Sequence, residues 1–149
     1  MKNEPQLILN TKSYQKTRFR ITKTSHLLIS ATINGSKGDF ILDTGASNSC
    51  VGFDQAEYFG LKTKDSKTKA AGAGAIDMLT MVSGKNVLKI GRWKNPDFNL
   101  VVFDLSHVNA ALEQHKVKKV RGIIGADVLI NGNAIIDYAT KTLYLNYLK

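Results

Sequence analysis

The chain has 149 residues, of which 43% are hydrophobic and 22% are charged. This composition suits one compact domain and excludes wholesale disorder, and the single cysteine excludes an internal disulfide framework. No apolar run reaches the roughly 18 residues that a membrane span needs, and the first ten residues contain no apolar signal core. These features predict a cytoplasmic protein without membrane contact, although an exported chain trimmed of its signal would share them.

The net charge is +9, from 21 Lys and Arg residues against 12 Asp and Glu residues. Such a surplus can serve binding to nucleic acid or to anionic membranes. The basic residues are spread over the stretches 12–23, 62–69 and 116–121, and we identify in them no platform on which bases would stack. We therefore interpret the charge as solvated surface and expect no nucleic-acid partner.

Short strand-like runs dominate the chain. Residues 1–24 are predicted to be an arm or an edge strand, and strands are predicted at 26–33, 39–43, 78–82, 86–90, 98–105, 134–138 and 142–148. Helices are predicted at 54–60, 106–116 and 126–130, the first from the capping pair Asp54 and Glu57. Many short strands at close spacing favour a barrel or a sandwich over βαβ units.

The first candidate site is the segment 40–47, Phe-Ile-Leu-Asp-Thr-Gly-Ala-Ser, in which an apolar strand ends in Asp43. Burying a carboxylate there costs free energy unless the group is hydrogen-bonded or shares a proton. The Gly45 that follows would let a second chain segment approach closely. An aspartate that only caps a turn would give the same triplet, so both interpretations stay open at this point.

Two later segments bear on that choice. Residues 121–129 read Arg-Gly-Ile-Ile-Gly-Ala-Asp-Val-Leu, in which two apolar residues followed by Gly would let a buried strand pass beneath another loop. Residues 70–77, Ala-Ala-Gly-Ala-Gly-Ala-Ile-Asp, are small and suit a mobile hairpin that covers a cleft.

Taken in chain order, the segments 40–47, 70–77 and 121–129 resemble the retropepsin-like aspartic proteases, especially their single-lobe bacterial members. Residues 41–46 match the family motif apolar-apolar-Asp-Thr/Ser-Gly-Ala/Ser, residues 123–125 match its apolar-apolar-Gly motif, and residues 72–76 are the candidate flap. The resemblance covers residues 26 to 147. It implies an all-β acid-protease lobe, a closed β-barrel with a flap hairpin and one to three short helices, formed by residues 25–149.

The resemblance also implies roles for individual residues. Asp43 would be the catalytic aspartate, Thr44 would hold the active-site loop through its hydroxyl, and Gly45 would lie against the substrate backbone. Substrate binding is expected at Ala46, Gly72, Gly74, Ile76 and Ile124. Retroviral members typically pair an acidic residue after Gly-Ala with an Arg after the second-motif Gly. Here Ser47 and Ala126 stand at those positions, so another interaction must stiffen the assembly.

Peptide hydrolysis by this chemistry needs two carboxylates that share one proton, one acting as general base on water and the other polarising the scissile carbonyl. The sequence offers a single Asp-Thr-Gly. We therefore predict a twofold homodimer in which Asp43 of each protomer meets its copy at the axis. Residues 143–148, apolar on both faces, should contribute to the core or to the dimer sheet. The substrate would be an extended polypeptide bound as an added strand.

The other candidate groups are weaker. Cys50 has no histidine near it in the sequence and is interpreted as a buried, inert thiol. His26, His107 and His115 lack the spacing of metal ligands, and neither a metal nor an organic cofactor is expected. The alternative function is a catalytically inactive, protease-like module for peptide binding or dimerisation, because a fold does not guarantee an activity.

Overall fold

The computed structural model describes residues 13–65 and 80–147. Its strands are β1 (Tyr14–Arg18), β2 (Arg20–Ile21), β3 (Leu27–Ile33), β4 (Ser36–Leu42), β5 (Cys50–Gly52), β6 (Lys64–Asp65), β7 (Met81–Ile90), β8 (Trp93–Phe103), β9 (Gly122–Ile124), β10 (Ile135–Asp137) and β11 (Thr142–Asn146). The helices are α1 (Ser106–Gln114), α2 (Ala126–Asn131) and a short 3₁₀ helix at Phe53–Gln55. No helix within these two ranges is both long enough and apolar enough to cross a membrane.

Six strands close a barrel in the order β3, β4, β9, β5, β8 and β7, and β7 pairs back with β3. The short strands β2 and β6 extend the sheet beyond β3 and β7. The pairs β4–β9 and β5–β8 are parallel, whereas β5 and β9 run antiparallel. Closure of the barrel gives each of the six strands a partner on both sides. It also fixes the position at which the parallel strands β4 and β9 both end.

The barrel sheet is apolar on both faces where β4 and β9 meet. Phe40, Leu42 and Ile124 lie in the main core with at most 4% of their surface exposed. Successive side chains of a strand point to opposite faces, so the intervening Ile41 and Ile123 belong to a second cluster. Leu112 of α1 covers that second face. Helix α1 therefore seals the outside of the barrel beside the end of β4.

A second, three-stranded antiparallel sheet has the order β1, β11, β10. Leu143 and Leu145 of the central strand β11 lie in the main core, 0% and 1% exposed, as expected for a segment that is apolar on both faces. Because β1 and β10 already pair with both sides of β11, that strand offers no free edge. The edges of this sheet are β1 and β10.

Apart from shifts at the ends of strands, two predicted elements differ from the structure. The runs 78–82 and 86–90 were expected as separate strands, yet residues 81–90 form one strand, β7, with register shifts around Asn86. The buried Asn86 amide donates to the backbone carbonyls of Ser83 and Phe98, which bridges the irregularity. The predicted helix at 54–60 shrinks to the 3₁₀ helix, whose N-cap Gly52 provides no side-chain cap. The proposed capping pair at its start is therefore wrong.

Candidate active site

The two sequence motifs meet at the parallel pair of β4 and β9. Leu42 pairs with Ile124, and the amide of Asp43 donates a hydrogen bond of 2.9 Å to the carbonyl of Ile124. This bond carries the ladder one residue past the end of β4. The half-buried Asp43 side chain therefore starts the loop from a fixed backbone position.

The loop turns sharply around the carboxylate itself. One carboxylate oxygen of Asp43 accepts the N–H of Gly45 at 2.8 Å, and the Asp43 carbonyl accepts the N–H of Ala46 at 3.2 Å. A Cβ atom on Gly45 would lie 3.3 Å from that same carboxylate oxygen. The other oxygen, Oδ2, accepts no hydrogen bond from the residues that the structure describes. This arrangement fixes the orientation of the carboxylate and leaves one oxygen for an outside partner.

The tip of the loop is uncovered. Thr44, Gly45 and Ser47 are exposed, and Ala46 is half-buried. The Thr44 hydroxyl makes no hydrogen bond with any described residue of its own protomer. The expected role of Thr44 in holding the loop is therefore not performed within the described part of one chain.

Below the tip, Ser49 ties the loop to α2. This residue is 1% exposed, and its Oγ accepts the N–H of Gly125 at 2.8 Å while donating to the carboxylate of Asp127 at 2.7 Å. The Ser49 amide donates to the same Asp127 oxygen at 3.0 Å. A backbone bond of 2.7 Å from Ala126 to the carbonyl of Ala46 completes the link. These bonds join the two motifs at the place where the expected acid–Arg pair is missing.

Neither Ser49 nor Asp127 was identified as a site residue from the sequence. Their hydrogen bond joins residues 78 positions apart, and no local sequence pattern predicts such a contact. The available signal was their position: Ser49 follows the first motif closely, and Asp127 comes two residues after Gly125.

Glycine is required where the second motif passes the loop. A Cβ atom on Gly125 would lie 2.5 Å from the carbonyl oxygen of Ala46, and one on Gly122 would lie 2.2 Å from the carbonyl oxygen of Cys50. Both atoms are backbone and cannot rotate away. This agrees with the prediction that Gly125 lets a buried strand pass beneath the loop, whereas the close approach at Gly122 was not predicted.

One expected substrate residue needs correction. Ile124 is 0% exposed and packs in the main core, so its side chain cannot line a cleft. The neighbouring Ile123 is half-buried on the opposite face of β9. The apolar pair was recognised, but its inward member was assigned to the cleft because the sequence does not reveal which face each residue takes. The expected flap residues Gly72, Gly74 and Ile76 lie outside the described residues.

The remaining titratable groups near the loop do not offer a second chemistry. Burial raises the pKa of the Cys50 thiol to about 12, so the thiol stays protonated and is a poor nucleophile. His26 is engaged by the Thr24 hydroxyl at 2.6 Å. Among residues 13–65 and 80–147, no three His, Cys, Asp or Glu side chains gather closely enough to hold a metal ion.

Comparison with known proteins agrees with this geometry. The family model for aspartyl proteases matches residues 29–128. A search of the curated proteins finds no match. Among solved structures, the chain is similar to a retropepsin-like aspartic protease from Rickettsia conorii, with a TM-score of 0.61 and 19% identity over 90% of this chain and 92% of that one.

Two further solved structures have the same fold. The retroviral protease-like domain of Ddi1 from Leishmania major gives a TM-score of 0.58 and 18% identity, over 83% of this chain and 90% of that one. The EIAV protease, complexed with the inhibitor HBY-793, gives 0.54 and 16%, over 79% of this chain and 98% of that one. The sequence prediction of an all-β, closed-barrel lobe is confirmed. The chain belongs to the aspartyl protease family and has its retropepsin-like fold.

Proposed function

We propose that this protein is a homodimeric aspartic endopeptidase that hydrolyses peptide bonds with a water activated between Asp43 of each subunit. The observation that carries the proposal is the half-site: one fixed carboxylate with an oxygen that no described residue occupies, on a loop whose tip is exposed. The reaction needs two carboxylates, and the chain provides one Asp-Thr-Gly. A second copy supplies the other by symmetry.

In the assembled site, the unprotonated Asp43 carboxylate takes a proton from water as the water oxygen attacks the scissile carbonyl carbon. The protonated Asp43 of the other subunit donates a hydrogen bond to the carbonyl oxygen and stabilises the developing charge. Collapse of the tetrahedral intermediate breaks the C–N bond, and the amine nitrogen leaves with the proton that the first Asp43 took from the water, which restores that carboxylate. The proposal requires neither a metal nor an organic cofactor.

The proposed substrate is an extended polypeptide that adds a strand to the site. Gly45 and Ala46 are proposed to border its backbone, because they lie at the tip of the loop, where Gly45 is exposed and Ala46 is half-buried. Gly72, Gly74 and Ile76 are proposed to close over it as a flap, and the Thr44 hydroxyl is proposed to bond across the twofold axis. The proposal includes no nucleic-acid partner, and a cytoplasmic location stays a prediction from the sequence.

The proposed interface is the face formed by α2 and β10. It carries three large apolar side chains in water: Ile130 is 76% exposed, Ile135 38% and Tyr138 62%. An edge strand with apolar neighbours is prone to pair with another chain. The N-terminus of α2 is bonded to Ala46 of the catalytic loop, so a copy docked on this face would lie beside that loop.

The test compares two carboxylate-to-amide variants. Asp43→Asn should lower cleavage of an unfolded protein substrate by about 100-fold to 10,000-fold while the dimer persists in sedimentation analysis. The control Asp54→Asn removes an exposed carboxylate and should leave cleavage unchanged. Full activity in Asp43→Asn would refute the mechanism. A wild-type dimer that binds peptides without cutting them would instead support the inactive binding module.

A further inference from the structure

Three lysines form one row across the outer face of the barrel. Lys37 of β4 is the register partner of Thr32 on β3. Thr32 is also paired with Lys89 of β7, which is in turn paired with Lys94 of β8. Side chains that are directly paired across neighbouring strands point to the same face. Because neighbouring strands lie about 4.8 Å apart, this lysine row is roughly 14 Å long.

The lysine row points away from the core. Leu88 and Ile90, on either side of Lys89, lie in the main core with 0% of their surface exposed. Successive side chains alternate between the two faces of a strand, so Lys89 points outward. Trp93, beside Lys94, belongs to the same core. All three lysines are exposed to solvent.

No described residue neutralises the lysine row. Within residues 13–65 and 80–147, none of the three ammonium groups forms an ion pair. The carboxylate of Asp39, two residues after Lys37 on the same strand, lies 3.6 Å from the Arg20 guanidinium instead. Like charges directly opposite each other in a sheet are destabilising, and Lys89 and Lys94 are such a pair. The row therefore lowers the stability of the free protein, and an anionic partner would relieve this repulsion.

The size of the lysine row decides which anionic partner it fits. Proteins that hold DNA make roughly six to ten phosphate contacts, and anionic membranes attract clusters of roughly four to eight basic residues. Three lysines are fewer than either. An extended polypeptide places three alternate side chains on one face over about 13 Å, which matches the length of the row. The row thus fits a short acidic polypeptide segment with alternating carboxylates.

Strand β4 connects the lysine row with the candidate active site. Lys37 and Asp43 are six residues apart along β4 and its continuation, which corresponds to roughly 20 Å. Leu112 of α1 packs on Ile41 between them, so a bound polypeptide must pass around this helix. Exposed ion pairs contribute little free energy each, so the row alone would hold a free partner weakly. It would, however, add to the binding of a chain already held at Asp43.

We propose that Lys37, Lys89 and Lys94 form an exosite, a binding surface outside the active site, for an acidic segment of the polypeptide substrate. This inference rests on the proposed peptidase function, since it names the substrate class of that site: polypeptides with clustered Asp or Glu more than about six residues from the scissile bond. The exosite strengthens substrate binding and leaves the chemical step unchanged. Its contribution falls as ionic strength rises, because salt screens exposed charges.

The test compares two forms of one short unfolded polypeptide. Flexible Gly-Ser linkers join each of its ends to a tail, either Glu-Ser-Glu-Ser-Glu or Gln-Ser-Gln-Ser-Gln. Calorimetry with the full-length Asp43→Asn dimer, which binds without cutting, should show about five-fold to ten-fold tighter binding of the Glu form at low salt. The two forms should bind equally at high salt. Cleavage by the wild type should show the same ratio in KM and an unchanged kcat.

Two triple variants separate the lysine row from net charge. The row variant combines Lys37→Gln, Lys89→Gln and Lys94→Gln. The matched control combines Lys116→Gln, Lys118→Gln and Lys141→Gln, which neutralise three exposed lysines outside the row. The row variant should lose the preference for the Glu form, whereas the control should keep it. Equal loss in both variants would show that net charge alone attracts the tail and would overturn the proposal.

A single charge reversal tests the repulsion within the lysine row. Lys94→Glu places opposite charges at a directly paired position with Lys89, so it should raise the melting temperature by about 2 °C and remove the preference for the Glu form. A lower melting temperature would show that the lysine pair stabilises the sheet and would overturn the proposal. Oligothymidylate or phosphatidylserine vesicles that bind the wild type but not the row variant would also overturn it, in favour of those partners.

Failure of this inference can be told apart from failure of the proposed function. No bond is broken in the calorimetric experiment with Asp43→Asn, so the comparison of the two tails reports the exosite alone. A preference for the Glu form in a protein whose wild type never cleaves would refute the peptidase activity and keep the exosite. Cleavage of both forms with the same KM would refute the exosite and keep the peptidase.

Discussion

The base and the tip of the loop that carries Asp43 differ in the hydrogen bonds that their polar groups make. At the base, Ser49 is 1% exposed and its amide and hydroxyl bond to Gly125 and Asp127. At the tip, Thr44 and Ser47 face solvent. The described residues thus hold the backbone of Asp43 but leave the tip of the loop exposed.

Helix α2 repeats this contrast over six residues. Its first turn is bonded to the loop through Ala126 and Asp127, whereas Ile130 near its other end is 76% exposed. The same short helix therefore supports the half-site and carries part of the proposed interface. The stability of the loop within one protomer and the proposed contact with a second copy can be tested separately.

The largest effect is expected at Gly125, where the base of the loop leaves no space for a side chain. Gly125→Ala puts a methyl group 2.5 Å from the Ala46 carbonyl oxygen, so the loop or β9 must move. We expect a loss of about 3 kcal/mol in the free energy of unfolding, together with loss of cleavage, measured by urea denaturation and peptidase assay.

The control for this glycine is Gly84→Ala on β7. Its methyl group would approach the side-chain oxygen of Asn99 at 2.8 Å, and that side chain can rotate away. Equal destabilisation by Gly84→Ala and Gly125→Ala would show that the loop tolerates displacement and would break the distinction between base and tip.

Two serines of one loop sharpen the comparison. Ser49→Ala strips the Gly125 amide and the Asp127 carboxylate of a buried partner and should cost about 1–3 kcal/mol of stability. Ser47→Ala removes an exposed hydroxyl and should stay within about 0.5 kcal/mol of wild type. Chemical denaturation of both variants measures the difference. A neutral Ser49→Ala would mean that the network does not stabilise the loop.

The proposed interface of α2 and β10 predicts a weaker dimer when one of its apolar side chains is replaced by a charged one. Ile135→Lys on β10 should raise the dimer dissociation constant about ten-fold, because a hydrophobic contact at an interface is replaced by a buried charge. Ile21→Lys on β2 changes a residue of similar exposure, 41% against 38%, and should leave the constant unchanged. Analytical ultracentrifugation measures both. An equal response would exclude β10 from the interface.

The smallest effect concerns Cys50, just beyond the base. An unfolded thiol ionises near pH 9, whereas burial holds the native pKa at about 12. The folded state therefore keeps a proton that the unfolded state loses. This group leaves stability unchanged below about pH 9 and lowers it by up to about 1.4 kcal/mol per pH unit as the pH rises towards 12. Cys50→Ala should remove this contribution from the slope, and an unchanged slope would contradict the burial effect.

Local motifs carried the family resemblance that implied the closed-barrel fold, and they located the loop of Asp43 and the glycine of the second motif. Each depends on neighbouring residues: an apolar strand, then Asp-Thr-Gly, or two apolar residues followed by Gly125. The continuity of β7 through its irregularity was not predicted. The buried Asn86 amide donates hydrogen bonds to the carbonyls of Ser83 and Phe98, and these partners cannot be recognised from the sequence. A polar residue within an apolar run otherwise indicates a break.

The hydrogen bonds at the base of the Asp43 loop join residues that are far apart in the sequence. These bonds could not be predicted from local patterns. Ser49 and Asp127 meet only after β4, β9 and β5 have paired. The inward orientation of Ile124 was missed for a related reason. A strand of three residues, Gly122–Ile124, is too short for its alternation to reveal which face is buried.

The most direct test of a shared active site mixes two kinds of protomer. Wild-type chain and Asp43→Asn chain are refolded together in equal amounts, so that subunits pair at random, and peptidase activity is measured at constant total protein. If each active centre needs Asp43 from both copies, about a quarter of the all-wild-type activity should remain, since one dimer in four carries two aspartates. Retention of about half would mean that each protomer acts alone and would contradict the account.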